Sequence, residues 1–368
     1  MTRHFLSAEA QALYSAARLA AVRAIARLAR DECCSFIVVS GDVFDSNHLD
    51  RAVVVRALEG MRDFTVPVYL LPANHDPLNA ASVYRSPEFL ANRPDNVTVL
   101  DSFDPVVMSG GAAEVVGAPW DSKQPLEDLV ARACASLPAR GPGAPPRVLV
   151  AHGAVDAGSP DLQNPALIRL AAAETALAAA TIDYIALGDR HSTTQVGTSG
   201  RIWYPGTPLV TGFTELDPNN ALVVEIGDDR GVTVTPHRVG TWAFLLERFD
   251  VNGHDDVDRV AEWLDALPDK HSTVVKLTFV GTLNLTEKAR LDEILDHHVS
   301  LFAALEAWER HTDLAVLPDD ADVRDLGLTG FAATTLEDLR AQAKRGGDGG
   351  AVAQDALNLL FRLARSGR

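Results

Sequence analysis

Four short apolar runs, each ending in polar residues, constrain this 368-residue chain more than any other feature. Phe36-Ile-Val-Val-Ser40 runs into Gly41-Asp42, and Val66–Leu71 runs into Pro72-Ala73-Asn74-His75-Asp76. Val148–Ala151 ends at His152, and Tyr184–Leu187 ends in Gly188-Asp189-Arg190-His191. Apolar runs this short, bounded by turn residues, read as strands buried on both faces. Between them the spacing turns helical. Ser7–Arg30 repeats Leu13, Ala17, Ala20, Ala24 and Leu28 on one face, and Leu49–Arg62, a stretch near Leu126–Leu137, and Pro165–Ala180 follow. Shorter β-like runs fall at Val97–Leu100 and Val115–Ala118, and the Pro/Gly-rich stretch 138–146 reads as a surface loop. Buried strands joined through helices predict an α/β fold.

The polar residues share one place in that fold. In α/β sheets the loops past the carboxyl ends of the strands converge on the ligand. Asp42, Asn74 with His75, His152, and Asp189 with His191 all sit there. Alone, a Gly-Asp is an ordinary turn and a buried histidine an ordinary core residue. Together, carboxylate, amide oxygen and imidazole make a donor set suited to borderline-hard divalent ions such as Mn²⁺, Fe²⁺ or Zn²⁺.

The last third reads as a separate β-α-β-α unit: Phe244–Val251, helix Asp255–Leu267, strand Thr273–Val280 and helix Thr286–Arg310. The expected division is residues 1–240, a catalytic domain; 241–320, a small capping domain; and 321–368, a helical tail. That tail has helices near Thr335–Lys344 and Ala351–Ala364 on either side of Gly346–Gly350.

Charge sets limits on partners. With 33 Lys+Arg against 50 Asp+Glu the net charge is −17, and neither the first 240 residues nor the remainder carries a basic excess. A broad basic face for nucleic acid is excluded, so contact with phosphate must be local or metal-mediated. No apolar run approaches the ~20 residues that span a bilayer, and the first residues lack a signal-peptide core, so the expected location is cytoplasmic with no membrane partner. Cys33, Cys34 and the third cysteine have no metal or disulfide spacing and are expected to be buried small hydrophobes. His297-His298 on a helix cannot chelate together because sequence neighbours point apart, and His48, His254, His271 and His311 are expected at the surface.

The ordered series Gly41-Asp42-Val-Phe-Asp45, Asn74-His75-Asp76, His152-Gly153 and Gly188-Asp189-Arg190-His191 resembles the motifs of calcineurin-like metallophosphoesterases. Tyr204-Pro-Gly-Thr-Pro208, with Phe213 and Glu215 beyond it, is similar to a loop of SbcD-type DNA repair exonucleases within that superfamily. The resemblance covers roughly residues 1–320. It implies a four-layer αββα sandwich with a small α/β capping domain and C-terminal helices, and two divalent ions, Mn²⁺ with Fe²⁺ or Zn²⁺ as alternatives. By the same resemblance Asp42 bridges the ions, Asn74, His152 and Asp189 complete one site, and His191 serves the other. His75 protonates the leaving oxygen or stabilises transition-state charge, while Asp45 and Asp76 orient the loop or His75. The implied activity is a phosphodiesterase or DNA exonuclease in repair or end processing, by water attack between two ions about 3.5–4 Å apart. Implied partners are DNA, an SbcC-like ATPase and a second copy of the chain, through the helix Leu49–Arg62.

Two departures from that pattern matter. Asp189 stands where the family has histidine, which leaves a competent oxygen ligand. The opening strand ending in Asp-x-His or Asp-x-Gln has no counterpart, so one site is left with Asp42 and His191, with His4 as a conceivable substitute. The expectation is that Met1 is an internal methionine of a longer reading frame, short by about 10 residues, since one strand is about 5–6. A small-molecule phosphoesterase using the same site is an alternative, and the missing motif leaves a catalytically impaired scaffold for the ATPase as another.

Overall fold

The computed structural model describes residues 3–317 except 139 and 142, then 330–343 and positions 345, 349, 350, 352, 353 and 356. The predicted helix Ala351–Ala364 and most of Gly346–Gly350 therefore lie largely outside the described residues. The chain forms two units, Ala12–Trp242 and, with Arg3–Gln11, the residues from Ala243 onward.

In the first unit the elements follow in the order α1 (Ala8–Asp31), β1 (Ile37–Val39), α2 (Arg51–Met61), β2 (Val68–Leu70), α3 (Pro87–Asn92) and β3 (Val97–Val99). The first turn of α1, through Gln11, is grouped with the second unit. Next come β4 (Val106–Val107), β5 (Glu114–Gly117), α4 (Leu129–Ser136), β6 (Arg147–His152), α5 (Leu170–Ala178) and β7 (Tyr184–Gly188). The unit ends with β8 (Thr194–Val196), β9 (Ile202–Tyr204), β10 (Asn220–Ile226) and β11 (Val232–Arg238). Strands β1-β2-β3 form one parallel sheet with β1 at its edge, and a second sheet runs β4-β5-β6-β7-β9-β8. Its centre is parallel from β5 to β9, with β4 and β8 antiparallel at the two edges.

Strand alternation sends side chains to two different cores. Val68 and Leu70 join Val54, Leu58, Phe64 and Phe89 from α2, α3 and the loop after α2, whereas Tyr69 between them joins Val115, Val148, Val150, Tyr184 and Ala186 of the larger sheet. Leu149, Ala151, Ile185 and Leu187 turn the other way, onto Val130 and Ala133 of α4 and Ala173 and Leu177 of α5. Leu70, Leu149, Ile185 and Leu187 are each 0% exposed, and each contributes about 1.5–3 kcal/mol by leaving water. The runs of β2, β6 and β7 are apolar because both faces of each strand are covered, whereas β1, expected to be buried like them, lies at the edge of its sheet and is only half-buried.

The second unit contains β12 (Ala243–Val251), α6 (His254–Ala266), β13 (Thr273–Asn284), α7 (Leu285–Val299), β14 (Ala304–Ala307), β15 (Asp313–Leu317) and α8 (Phe331–Ala343). The predicted helix Thr286–Arg310 is corrected here, since it stops at Val299 and two strands follow. Ala, Leu and Glu favour helix in this stretch, but the twelve-residue β13 offers two open segments of edge. Ala304–Ala307 fills one against Val274–Leu277, and Asp313–Leu317 fills the other against Val280–Asn284. Pairing with β13 overrides local propensity. The start of α7 follows from sequence alone. Asn284 accepts from Glu287 N at 2.8 Å and Glu287 accepts from Asn284 N at 2.9 Å, a reciprocal cap.

The cysteine expectation is also corrected. Cys33 is exposed, and Cys34 and Cys134 are half-buried. Cys33 has φ +52° just past the end of α1, a turn position that faces solvent, so the apolar character of a thiol does not decide its burial. His297 is exposed, whereas His298 is buried and bonds Asp265 and the Ile294 carbonyl. His48, His254, His271 and His311 are exposed.

Candidate metal centre

Register brings the site residues together. Val39 pairs with Leu70, which sets the loops carrying Asp42 and Asn74 side by side, and His152 pairs with Gly188, which puts Asp189 next in line. The Asp42 carboxylate accepts from His75 N at 3.2 Å, joining the first two loops. His152 Nε2 lies 3.5 Å from Asp42 Oδ2 and 3.7 Å from Asp189 Oδ1, joining the second sheet to both carboxylates.

The tautomer of His152 follows from its other nitrogen. Nδ1 lies 2.7 Å from the Ser40 carbonyl, which can only accept, so Nδ1 carries the hydrogen. Nε2 of the neutral ring is then a lone pair, buried, without a hydrogen-bond partner, and facing two carboxylates. Asn74 Oδ1 is likewise buried and unpartnered. An orphaned buried polar atom costs about 1–3 kcal/mol, so two of them on neighbouring strand ends mark a spot shaped for something else. A cation is the species that answers a lone pair, an amide oxygen and carboxylates at once.

Two glycines make the approach possible. A Cβ on Gly188 would lie 1.8 Å from the Ser40 carbonyl oxygen, and one on Gly41, whose φ is +96°, would lie 2.5 Å from His152 Nδ1. Asp42 (φ +54°) and Asp189 (φ +99°) both hold positive backbone angles, a conformation that costs a side-chain-bearing residue about 1–3 kcal/mol. The strand ends are bent to aim carboxylates inward.

His75 is exposed, with Nδ1 3.1 Å from the Asp45 carbonyl. Its Nδ1 therefore donates, and Nε2 is the ring nitrogen turned away from that carbonyl. Asp45 acts on His75 through its backbone oxygen, while its carboxylate faces Arg18 at 3.4 Å. Asp76, 0% exposed, accepts from Phe44 N, Ala73 N and the Tyr84 hydroxyl, so it pins the Asp42 loop to the Asn74 loop. Burial pushes its pKa up against those three donors, and burial likewise raises the Tyr84 hydroxyl well above its usual range, with Asp76 adding to the rise. Arg190 is exposed, its guanidinium 5.9 Å from the centre of the Tyr204 ring.

His191 stands on a different support. Its Nδ1 lies 3.0 Å from Glu215 Oε1 and 2.7 Å from the Thr211 hydroxyl. The Glu215 hydrogen bond, more than the opposing effect of burial, raises the His191 pKa, and the charges of Asp189 and Asp42 add to it. Burial disfavours ionised Glu215, but bonds from His191 and Thr211 outweigh it and hold its pKa below the ordinary value. His4 is exposed and grouped with the second unit.

Asp42, Asn74, His152 and Asp189 thus offer donor types that suit one divalent ion, while the other expected site has Asp42 and His191. The convergence is incomplete. Among the described residues no group of three or more His, Cys, Asp and Glu side chains is already set to hold a metal. The orphaned Asn74 and His152 atoms still mark the spot, since an amide oxygen lies outside that set of residue types. The residues that sequence reasoning missed are supports: the Ser40 carbonyl under His152, Tyr84 on Asp76, and Trp120, whose indole N–H donates to the His152 carbonyl at 3.0 Å. None has a motif, because a carbonyl belongs to every residue, and the two aromatic donors stand apart from the strand-end motifs.

Comparison with known proteins agrees with this geometry. Residues 15–193 match the model of the calcineurin-like phosphoesterase family, a span that includes Asp42, Asn74, His152, Asp189 and His191. No curated protein matches the chain. Among solved structures, TT1561 of Thermus thermophilus aligns over 60% of this chain and 94% of its own at 11% identity and a TM-score of 0.38, too distant to bear on the site. Among the described residues no helix is long and apolar enough to cross a membrane. The strand-end donors thus lie within the stretch, residues 15–193, that is similar to the calcineurin-like phosphoesterase family.

Proposed function

We propose that the chain is a divalent-metal-dependent phosphodiesterase that acts on DNA ends as an exonuclease. The observation that carries the hydrolytic part is the pair of orphaned buried atoms, Asn74 Oδ1 and His152 Nε2, beside Asp42 and Asp189. The two cores flanking the sheets accord with a helix–sheet–sheet–helix stacking, in which all four loops open on one edge. Bound there, two divalent ions, Mn²⁺ by preference, supply charge that offsets phosphate oxygens and lowers the pKa of an attacking water. The chain's own residues do the rest. Asp42, Asn74, His152, Asp189 and His191 hold the ions. His75, with Nδ1 on the Asp45 carbonyl, presents Nε2–H to the leaving oxygen as that oxygen gains charge. Asp76 keeps the two loops in register while this happens.

The DNA part of the reading rests on the Tyr204–Pro208 loop with Glu215 and on a second α/β unit following the catalytic one. An SbcC-like ATPase would supply the basic surface that a net charge of −17 lacks. The test is cleavage of single- and double-stranded DNA by the full chain with Mn²⁺, beside bis-(p-nitrophenyl) phosphate. DNA cleavage lost in both Asp42→Asn and His75→Ala is the expected result. Hydrolysis of the small diester without DNA cleavage would move the substrate to small phosphoesters, and neither activity, with no bound metal, would leave a scaffold.

A further inference from the structure

All three histidines at the site present Nδ1 to a partner, but the partners differ. His75 and His152 use backbone carbonyls, those of Asp45 and Ser40. His191 alone uses a carboxylate, and Glu215 is no passing surface contact. Its side chain is 6% exposed. It accepts from Thr211 N at 2.9 Å and from the Thr207 hydroxyl at 3.5 Å on one oxygen, and from His191 and the Thr211 hydroxyl on the other.

Counting hydrogens fixes the arrangement. Glu215 as a carboxylate can only accept, and the Thr211 hydroxyl has a single proton. Three heavy atoms, Glu215 Oε1, Thr211 Oγ1 and His191 Nδ1, are mutually in contact. If Nδ1 were the bare nitrogen, one proton would have to hold together three electron-rich atoms. With a hydrogen on Nδ1, the ring donates to Glu215 and Thr211 while Thr211 donates to Glu215, and every contact is paired. Nε2 is then the nitrogen with the open lone pair.

The loop carrying these groups is itself held firmly. The Tyr14 hydroxyl of α1 donates to the Val210 carbonyl at 2.8 Å, and buried Asn219 accepts from Val210 N at 2.8 Å. Leu216 N donates to Ser192 Oγ at 2.9 Å, tying the loop to the residue after His191.

We propose that Glu215, seated by Thr211 and Thr207, is a positioning residue that fixes the ring of His191 with Nε2 as its open donor nitrogen. It does so at the position where the described residues offer fewest ligands, Asp42 and His191. A carboxylate on the far nitrogen makes the near one a stronger donor than a carbonyl does, which partly offsets the short ligand set. The metal consequence rests on the phosphodiesterase reading, but the tautomer does not.

The test is carried out on the full chain labelled at histidine with ¹⁵N, first without metal. Nitrogen shifts at a pH where the ring is neutral should show His191 as the Nδ1–H tautomer, the reverse of free histidine. Glu215→Ala should raise the Nε2–H population, whereas Glu215→Gln, which keeps an accepting oxygen, should retain Nδ1–H. A role in packing alone predicts that both variants leave the tautomer unchanged. Mn²⁺ titration should then show affinity falling about 10–100-fold in Glu215→Ala. Wild-type His191 found as Nε2–H overturns the inference whatever the variants do, so a variant that fails to fold does not protect it. If the wild type binds no Mn²⁺ but shows the expected tautomer and its change in Glu215→Ala, the function proposed above falls and the role of Glu215 stands.

Discussion

The two ends of β6 and β7 are built on opposite rules. At their amino ends sit two almost fully buried charged residues, Arg147 and Asp183, and their charges are matched. Asp183 accepts from Arg147 N, Arg140 and Arg230 at 2.7–2.8 Å, and Arg147 donates to Glu114 at 2.6 Å and to the carbonyls of Pro138 and Thr181. Arg140 also donates to the Pro145 carbonyl and Arg230 to that of Ala144, which ties these two residues of the Pro/Gly-rich stretch to the same cluster. At the carboxyl ends of the same strands, His152 leaves a buried lone pair open, and Asp189 takes a backbone angle that suits glycine. One end uses its polar groups to hold the chain together, with Arg140 Nε the exception that is buried there without a partner. The other leaves His152 Nε2 unpaired beside two carboxylates, the shortfall on which the proposed metal binding rests.

If that contrast is sound, mutations at the two ends should fail in different ways. The largest effect should come from Asp183→Ala, which strands the arginines around it, and breaking such buried pairs costs about 3–5 kcal/mol. Urea unfolding measures it, and a loss under about 1 kcal/mol would mean that this end is no more committed to stability than the other. Next in size is Asn74→Ala at the open end. Without metal its unfolding free energy should stay within about 0.5 kcal/mol of wild type or rise, because the lost atom made no hydrogen bond. Wild type should gain about 2.7 kcal/mol at Mn²⁺ a hundredfold above its Kd, and the variant should lose most of that gain. Equal metal-dependent shifts in both proteins would remove Asn74 from the ligand set.

The smallest effect concerns a third place, the turn after β8, where pairing serves neither a ligand nor the deep core. Glu174 accepts from Thr198 N at 2.7 Å and Ser199 N at 3.1 Å. Burial disfavours its charge, but these bonds outweigh it and lower its pKa from the ordinary 4.5. A depressed acid stabilises the fold above its unfolded pKa, and that contribution disappears as pH falls through the lower folded value. Glu174→Gln should therefore melt slightly below wild type at neutral pH, with the gap closing below about pH 4. A gap that stays constant down to about pH 3 would show that the charge plays no part.

What was legible in the sequence divides along the same line. Three of the four strands were legible because burial on both faces leaves an uninterrupted apolar run, the half-buried β1 because its run is apolar all the same, and their ends because Gly-Asp, Asn-His and a terminal His punctuate them. The polar residues that the structure brings near one another, Asp42, His75, His152 and Asp189, are adjacent to those runs, so they could be named from the sequence. The strands β14 and β15 were not legible. Their sequences favour helix or carry no pattern, and only the open edge of β13 makes them strands. The roles of Asp45 and Asp76 were legible as neighbours of the site but not in their particulars. That Asp45 works through its carbonyl, and that Asp76 takes Tyr84 as a partner, depends on loops folding against each other.

By itself the sequence determined the alternation of buried strands and helices, and which polar residues end each strand, because periodicity and punctuation are local properties. Only the tertiary structure decided that His152 faces both Asp42 and Asp189 with a bare nitrogen, that Arg147 and Asp183 pair off at the far end, and that Glu215 stands behind His191. Those outcomes depend on strand register and on contacts between loops distant in sequence. His152 reaches back 112 positions to the Ser40 carbonyl, a bond that exists only once the two sheets have packed.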